Sequence, residues 1–347
     1  MKVRRKLVLA TLAVAVVAAG AMGGLVSNGK AAHKATLKVA VVTDVGGIND
    51  KGFNSLAAAG LSTAESKLGV QGRDFITQTA ADRQPNLVAA AQQGYDLVFA
   101  TGVLFAFGPL PTAAAALPNT KFVGIDIAQS DMGTKPIPNV LGIQFKEQQA
   151  GCLVGNIAAL EMQREHRNVI SAVGANKVPA IVRYIAGYKY CAGLVSKKIK
   201  VLANYANDPT FNDQAKCKAT AAAQIARGTH VIFQVAGACG LGALDAAKTA
   251  GIWGIGVDAD QGYLGPYMLT SARKRVDQAV FDTIKSFQKD PSSFKGGTDK
   301  TYDLKNQGVG FGTISKKLPS AVRKMLAAKT NLLARQIIAG KITVPAQ

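Results

Sequence analysis

The stretch VAVVTDVGGINDKGFNSLAAAG, residues 39–60, passes from a strand through a turn into a helix. Val39, Ala40, Val41 and Val42 form a continuous apolar, mostly β-branched run, the pattern of a strand buried on both faces of a parallel sheet. The run ends at Thr43-Asp44 and is broken by Gly46-Gly47. Asn49, Asp50 and Gly52 then supply N-capping chemistry to an Ala-rich helix that opens with Phe53 and Asn54. Ligands of open α/β sheets bind outside the carboxyl ends of the strands. This unit delivers Asp44, Asn49, Phe53 and Asn54 to such an end: a carboxylate, two amides and a ring. An ordinary solvated βα loop has the same spacing, so the motif gains weight only from its context.

Strand and helix signals alternate downstream. The pattern predicts strands at 74–79, 97–100 and 121–125, a bridging segment at 139–145, and then strands at 168–173, 200–205, 230–236 and 252–257. Helical segments lie between them, including 84–93 and 178–197. The third strand signal ends in the turn Thr101-Gly102, and the next delivers Asp126 at its tip, where unaided it reads as a turn former. In the second half Phe211 follows a strand much as Phe53 does in the first, and two such rings could sandwich a planar group. A Phe capping the core beneath its loop fits equally well, and Tyr184 and Tyr188 are weaker substitutes. GACGLG at 237–242 sits between strand and helix, but its order is GxxGxG rather than the GxGxxG of a dinucleotide site, although Asp258 lies at a suitable distance for a ribose-binding acid. Backbone amides at Gly237 approaching a sugar or base account for it better. Residues 289–301 read as a polar linker, 302–314 as a Gly-rich hairpin and 320–339 as an amphipathic terminal helix.

The chain has 347 residues, 48% hydrophobic residues, 36 Gly and a formal net charge of +20. That length suggests about two domains. Removing Lys2, Arg4, Arg5, Lys6 and Lys30 leaves 36 basic and 21 acidic residues, a charge of +15. The cations are scattered and lack aromatic interleaving, so nucleic acid is not an expected partner, whereas an anionic membrane or wall surface could attract such a charge. Residues 1–32 read as a signal peptide or N-terminal anchor: a basic start, an apolar run from Leu7 to Val26, then small residues. The expected location is therefore outside the cytoplasm, periplasmic or at the cell surface, either free or tethered by residues 7–26. Four cysteines suit an oxidising compartment. Cys152, Cys191, Cys217 and Cys239 allow three pairings; helix proximity favours Cys191–Cys217, leaving Cys152–Cys239, and four buried thiols are the alternative. With three His and no CxxC spacing, a zinc site is not expected.

TDVGGINDKGFN (43–54) resembles the signature of the basic-membrane-protein, or purine-nucleoside-receptor-like, family of substrate-binding proteins of ABC importers. The family pattern has Ser where this chain has Gly52, a change that touches the helix cap more than the site. LGIQFKEQQAGCLVGNIAAL (141–160), the glycine-rich turn at 237–242 and LTSARKRVDQAV (269–280) resemble family segments in the same order, so the likeness spans about residues 37–285. It implies that Asp126 contacts a ligand ribose and that Asp258 and Lys274 reach the ligand. Most members are lipoproteins, but no Cys precedes Cys152, so a lipid-anchored N-terminus is not expected here.

The expected fold is α/β: a two-lobed type I periplasmic-binding-protein fold, each lobe a mostly parallel sheet flanked by helices. The lobes are expected at 36–144 plus 258–295 and at 145–257 plus 296–347. The function implied is capture of a nucleoside, a purine nucleoside by the family, and its delivery to an ABC permease, with no cofactor. The site expected is Asp44, Asn49, Phe53, Asn54, Gly102, Asp126, Phe211, Gly237, Asp258 and Lys274. Two other classes stay open. Asp44 and Asp126 as paired carboxylates would make a nucleosidase, and the same fold could serve as a surface adhesin or sensor.

Overall fold

The computed structural model describes residues 36–347; the leader read at 1–32 lies outside the described residues. The first strand, β1 (Lys38–Val42), is buried as its composition requires, with Val39 to Val42 all at 0% exposure. Its side chains alternate between two cores: Val39 and Val41 face one, Ala40 and Val42 the other. Around it stand β2 (Gln71–Phe75), β3 (Leu97–Thr101), β4 (Lys121–Ile125) and β5 (Val140–Phe145). Their sheet has the order β11-β5-β4-β3-β1-β2 and is parallel throughout, β11 being Thr298–Tyr302. A second sheet has the order β12-β10-β9-β8-β6-β7. It comprises β6 (Val169–Gly174), β7 (Lys200–Tyr205), β8 (Val231–Val235), β9 (Trp253–Asp258), β10 (Met268–Lys274) and β12 (Val309–Phe311), and only β12 runs antiparallel.

Helices cover both sheets. In the first lobe α1 (Phe53–Leu68) packs against α8 (Val276–Lys289), while α2 (Arg83–Gln92) and α3 (Pro109–Ala116) serve the opposite core. In the second lobe α4 (Glu147–Arg164) packs on α5 (Pro179–Val195) and on the terminal α9 (Ser320–Ile338), while α6 (Gln214–Ile225) packs on α7 (Gly240–Thr249). The α4–α5 pair is close because glycines leave no side chain between the backbones. A Cβ on Gly187 would stand 1.9 Å from the Gln148 carbonyl oxygen, and one on Gly151 2.1 Å from that of Tyr184.

Four expectations need correction. Cysteine pairing is Cys152–Cys191 and Cys217–Cys239, because each bond staples helices that already pack together, α4 to α5 and α6 to the turn that opens α7. Residues 302–314 do not form a hairpin: β11 pairs with β5 in the first sheet, whereas β12 pairs with β10 in the second. The strand expected at 74–79 lies at Gln71–Phe75. Asp258 and β10 belong to the second sheet and β11 to the first, so the lobes exchange chain after Lys274 and after Asp303, not at 257/258 and 295/296. Three chain crossings follow, β5 to α4, β10 to α8 and β11 to β12. The first lobe thus holds residues 36–146 and 275–303, the second 147–274 and 304–347.

Candidate functional site

The carboxyl ends of strands from both sheets meet at a single cleft. Nine of the ten expected residues line it: Asp44, Phe53, Asn54, Gly102 and Asp126 from the first lobe, Phe211, Gly237, Asp258 and Lys274 from the second. Asn49 does not. It is exposed in the turn after β1, and its buried neighbour Asp50 does the capping, accepting from the backbone N–H groups of Gly52, Asn54 and Ser55 at 2.9, 2.7 and 3.0 Å. That cap orients Asn54, whose Oδ1 accepts from the Asp44 backbone N–H at 2.8 Å.

Asp208 repeats this device in the second lobe. It accepts from the N–H groups of Thr210, Asn212 and Asp213 at 2.9, 2.7 and 2.8 Å, the same offsets of two, four and five residues. The sequence carries the signal as a duplicated motif, Asn49-Asp50-Lys51-Gly52-Phe53-Asn54 and Asn207-Asp208-Pro209-Thr210-Phe211-Asn212. Each Phe follows its capping Asp by three residues. The two loops are not topological equivalents, since the first follows β1 and the second follows β7, the counterpart of β2.

Asp126 and Asp258 are equivalents. They end β4 and β9, which hold matching places in the two sheets, and both take the left-handed conformation with φ of 62° and 61°. Non-glycine residues reach that region only when surroundings hold them there, and such sites cluster where ligands bind. Lys274, 2% exposed, bridges the lobes. Its Nζ stands 2.5 Å from Asp126 Oδ2 and 3.1 Å from Glu147 Oε1, and 4.9 Å from the Phe53 ring centre. Glu147 is buried at the start of α4 and also holds Arg183 at 2.5 Å. Asp258 accepts from the Tyr184 hydroxyl at 3.0 Å.

Burial sets the proton affinities. It raises Asp126, with Lys274 opposing and Glu147 reinforcing the shift. It pushes Asp258 up to about 7, again against the pull of Lys274. For Lys274 burial disfavours the ammonium, but Asp126, Glu147 and Asp258 outweigh it and hold the pKa above the ordinary range. Asp44 is raised by burial despite Arg83, whose guanidinium reaches its Oδ1 at 2.7 Å.

Arg83 and a buried amide pair were not expected from sequence, and Tyr184, considered there as a substitute ring, contributes its hydroxyl to Asp258. Gln234 Nε2 donates to Gln261 Oε1 at 2.8 Å, and Gln261 Nε2 donates across the lobes to the Lys51 carbonyl at 2.9 Å. Gly240 and Gly256 make room: a Cβ on either would collide with Gln234 or Gln261. Among the described residues no cluster of His, Cys, Asp or Glu is arranged to hold a metal ion, and no helix is long and apolar enough to cross a membrane.

Comparison with known proteins places this geometry. Residues 37–347 match the Bmp family, described as PnrA-like ABC transporter substrate-binding proteins. The chain is 35% identical to the ABC transporter nucleoside-binding protein BmpA of Lactococcus lactis, over 99% of this chain and 100% of that one. It is 33% identical to an uncharacterised lipoprotein of Pyrococcus horikoshii, over 90% of this chain and 77% of that one. Among solved structures, an ABC-transporter solute-binding protein of Aeropyrum pernix superposes with a TM-score of 0.76 at 27% identity, covering 90% of this chain and 94% of the other.

Proposed function

The chain belongs to the PnrA-like family of ABC transporter substrate-binding proteins, and from that membership we propose that it captures a nucleoside, most specifically a purine nucleoside, and hands it to an importer's permease outside the cytoplasmic membrane. The observation that carries this reading is the convergence of the strand-end acids, rings and amides of both lobes on one cleft. Phe53 and Phe211 offer flat apolar faces to a base. Asp126 and Asp258, as carboxylates, can accept both protons of a cis-diol, and Lys274 offers a donor between them. Backbone at Gly102 and Gly237, each with positive φ, leaves the ligand room to approach the main chain.

Binding without hydrolysis fits this chemistry better than a nucleosidase. Asp44 is tied to Arg83 and Asp126 to Lys274, so neither of the paired carboxylates stands free as an acid or a nucleophile. Calorimetry with inosine, adenosine and guanosine, alongside native mass spectrometry of freshly purified protein, tests the proposal. We expect one-site binding of intact nucleoside and no free base in the mixture. Binding of none of the three, or release of base at a catalytic rate, refutes it.

A further inference from the structure

A neutral nucleoside leaves most of the charge of this chain unexplained, and among the described residues the net charge is confined to one lobe. The first lobe carries 13 basic and 13 acidic residues, so its net charge is zero; the second carries 22 basic and 8 acidic residues, a net of +14. Within the second lobe the imbalance is narrower still. No Asp or Glu occurs between His166 and Asn207, the segment holding β6, α5 and β7, or from Leu304 to Gln347, the segment holding β12 and α9. These are the two segments whose helices, α5 and α9, flank α4. The carboxylates of α4 do not compensate: Glu147 and Glu161 are both buried, Glu147 with Arg183 and Lys274, Glu161 with Arg164. The acids Asp213 and Asp245 belong to α6 and α7 instead.

Exposed aliphatic side chains stand among these cations. Of the seven large apolar residues exposed in the described chain, Leu194 (47%), Leu332 (51%) and Ile338 (48%) lie on α5 and α9. Both helices pack on α4 there, Cys191 sharing one cluster with Cys152 and Leu153 of α4 and with Leu333 and Ile337 of α9. On α9, Lys324, Leu332, Arg335 and Ile338 fall within about a third of the helix circumference at 3.6 residues per turn, so cation and aliphatic side chain share one stripe. Lys197, Lys198 and Lys341 extend the field, and none of these cations is ion-paired among the described residues.

We propose that the α5–α9 face of the second lobe docks on an anionic lipid surface. A one-sided charge of this size draws a protein toward anionic headgroups, each cation near the surface adding to the attraction, and aliphatic side chains set among cations gain by entering the headgroup–acyl boundary. A hydrated polyanion such as a wall polymer would match the charge but give Leu194, Leu332 and Ile338 nothing to enter. The inference does not depend on what the cleft holds.

Vesicle flotation tests it with the full chain, using phosphatidylcholine vesicles with and without 30% phosphatidylglycerol. Binding common to both vesicle types is the baseline, and the excess on anionic vesicles is the readout. We expect K198E/R335E/K341E to lose that excess at least tenfold, while K216E/R227E/K248E, an equal reversal on the α6–α7 side, keeps it within about twofold. Nucleoside affinity and thermal midpoint should match in the two variants, which keeps a folding defect from passing as a docking defect. No anionic excess in the parent protein, or equal loss in both triple variants, overturns the proposal. So does full vesicle affinity in L194S/I338S, which would make the partner a hydrated polyanion.

Discussion

Replacing Lys274 with Met isolates the role of the ammonium that joins the lobes. Its removal has unequal effects on its neighbours: Glu147 keeps Arg183 at 2.5 Å and Asp258 keeps the Tyr184 hydroxyl, but Asp126 keeps nothing. Its Oδ2 loses the 2.5 Å ion pair, and its Oδ1 is already buried without a hydrogen-bond partner. Stranding one buried charge costs about 3–5 kcal/mol. Protonation caps that loss. A carboxyl of ordinary pKa 3.8 is neutralised at pH 7 for roughly 4 kcal/mol and at pH 5 for roughly 1.6 kcal/mol, at 1.36 kcal/mol per unit. In the variant the folded state therefore binds a proton that the unfolded state releases, and stability falls as pH rises through this range. Urea unfolding should show K274M about 3–4 kcal/mol less stable than the parent at pH 7, with the gap narrowing to about 1.5 kcal/mol at pH 5. Adding D126N should recover much of the loss at pH 7. A deficit below about 1 kcal/mol at pH 7, or one unchanged at pH 5, would mean that Asp126 finds another partner and that this reasoning fails.

Truncating Phe53 to Ala should weaken nucleoside binding by about 2–3 kcal/mol in calorimetry if its ring is a stacking platform; unchanged affinity removes it from the site. Q261A takes away the hydrogen bond to the Lys51 carbonyl, an interaction of roughly 1 kcal/mol, and should speed ligand release about fivefold in stopped flow while leaving association little changed. Burial pushes Asp258 up to about 7; if, as proposed, its ionised form accepts from ribose hydroxyls, affinity should rise roughly tenfold from pH 6 to pH 8, and a D258N variant should show a flat profile. Reduction should lower stability by about 3–4 kcal/mol for each disulfide, given closed loops spanning 39 and 22 residues. C152A/C191A and C217A/C239A should each lose one such share in urea unfolding, and a variant as stable as the parent would contradict the pairing.

What could be read from the residues was what local pattern determines. The run Val39–Val42 announces a strand buried on both sides, and Lys121–Ile125 delivers Asp126 to its tip, because side-chain alternation and strand ends are written over five or six residues. Pairing partners are not written that way. Nothing in residues 298–311 says that β11 and β12, only six residues apart, belong to different sheets, since that choice depends on open edges left by β5 and β10. Cysteine pairing failed for a related reason. Cys152 and Cys191 meet because glycines on both α4 and α5 let two backbones touch, a property of two distant helices and not of the spacing between cysteines. Arg83 and Gln261 were invisible because their partners, Asp44 and Lys51, are supplied by other strand-end loops.

The duplicated Asn-Asp-x-x-Phe-Asn motif shows how far local information reaches toward a site. In both copies the Asp caps its own loop with the same three backbone donors, so the motif specifies a loop that presents a ring, whatever strand precedes it. Its two occurrences follow non-equivalent strands, yet both rings line one cleft. Asp126 and Asp258 sit in a second repeated pattern, Gly124-Ile125-Asp126-Ile127-Ala128-Gln129 and Gly256-Val257-Asp258-Ala259-Asp260-Gln261, and here the preceding strands are equivalent as well and the two acids share a left-handed backbone. The cleft thus combines two kinds of pairing between the lobes, one carried by repeated sequence on non-equivalent strands and one by repeated sequence on equivalent strands. Lys274 ties them together, because its ammonium pairs with Asp126 and lies 4.9 Å from the Phe53 ring centre. A ligand with a flat face and adjacent hydroxyls would engage both at once, and that coincidence is why the two ring positions and the two acids should lose affinity non-additively when mutated in pairs.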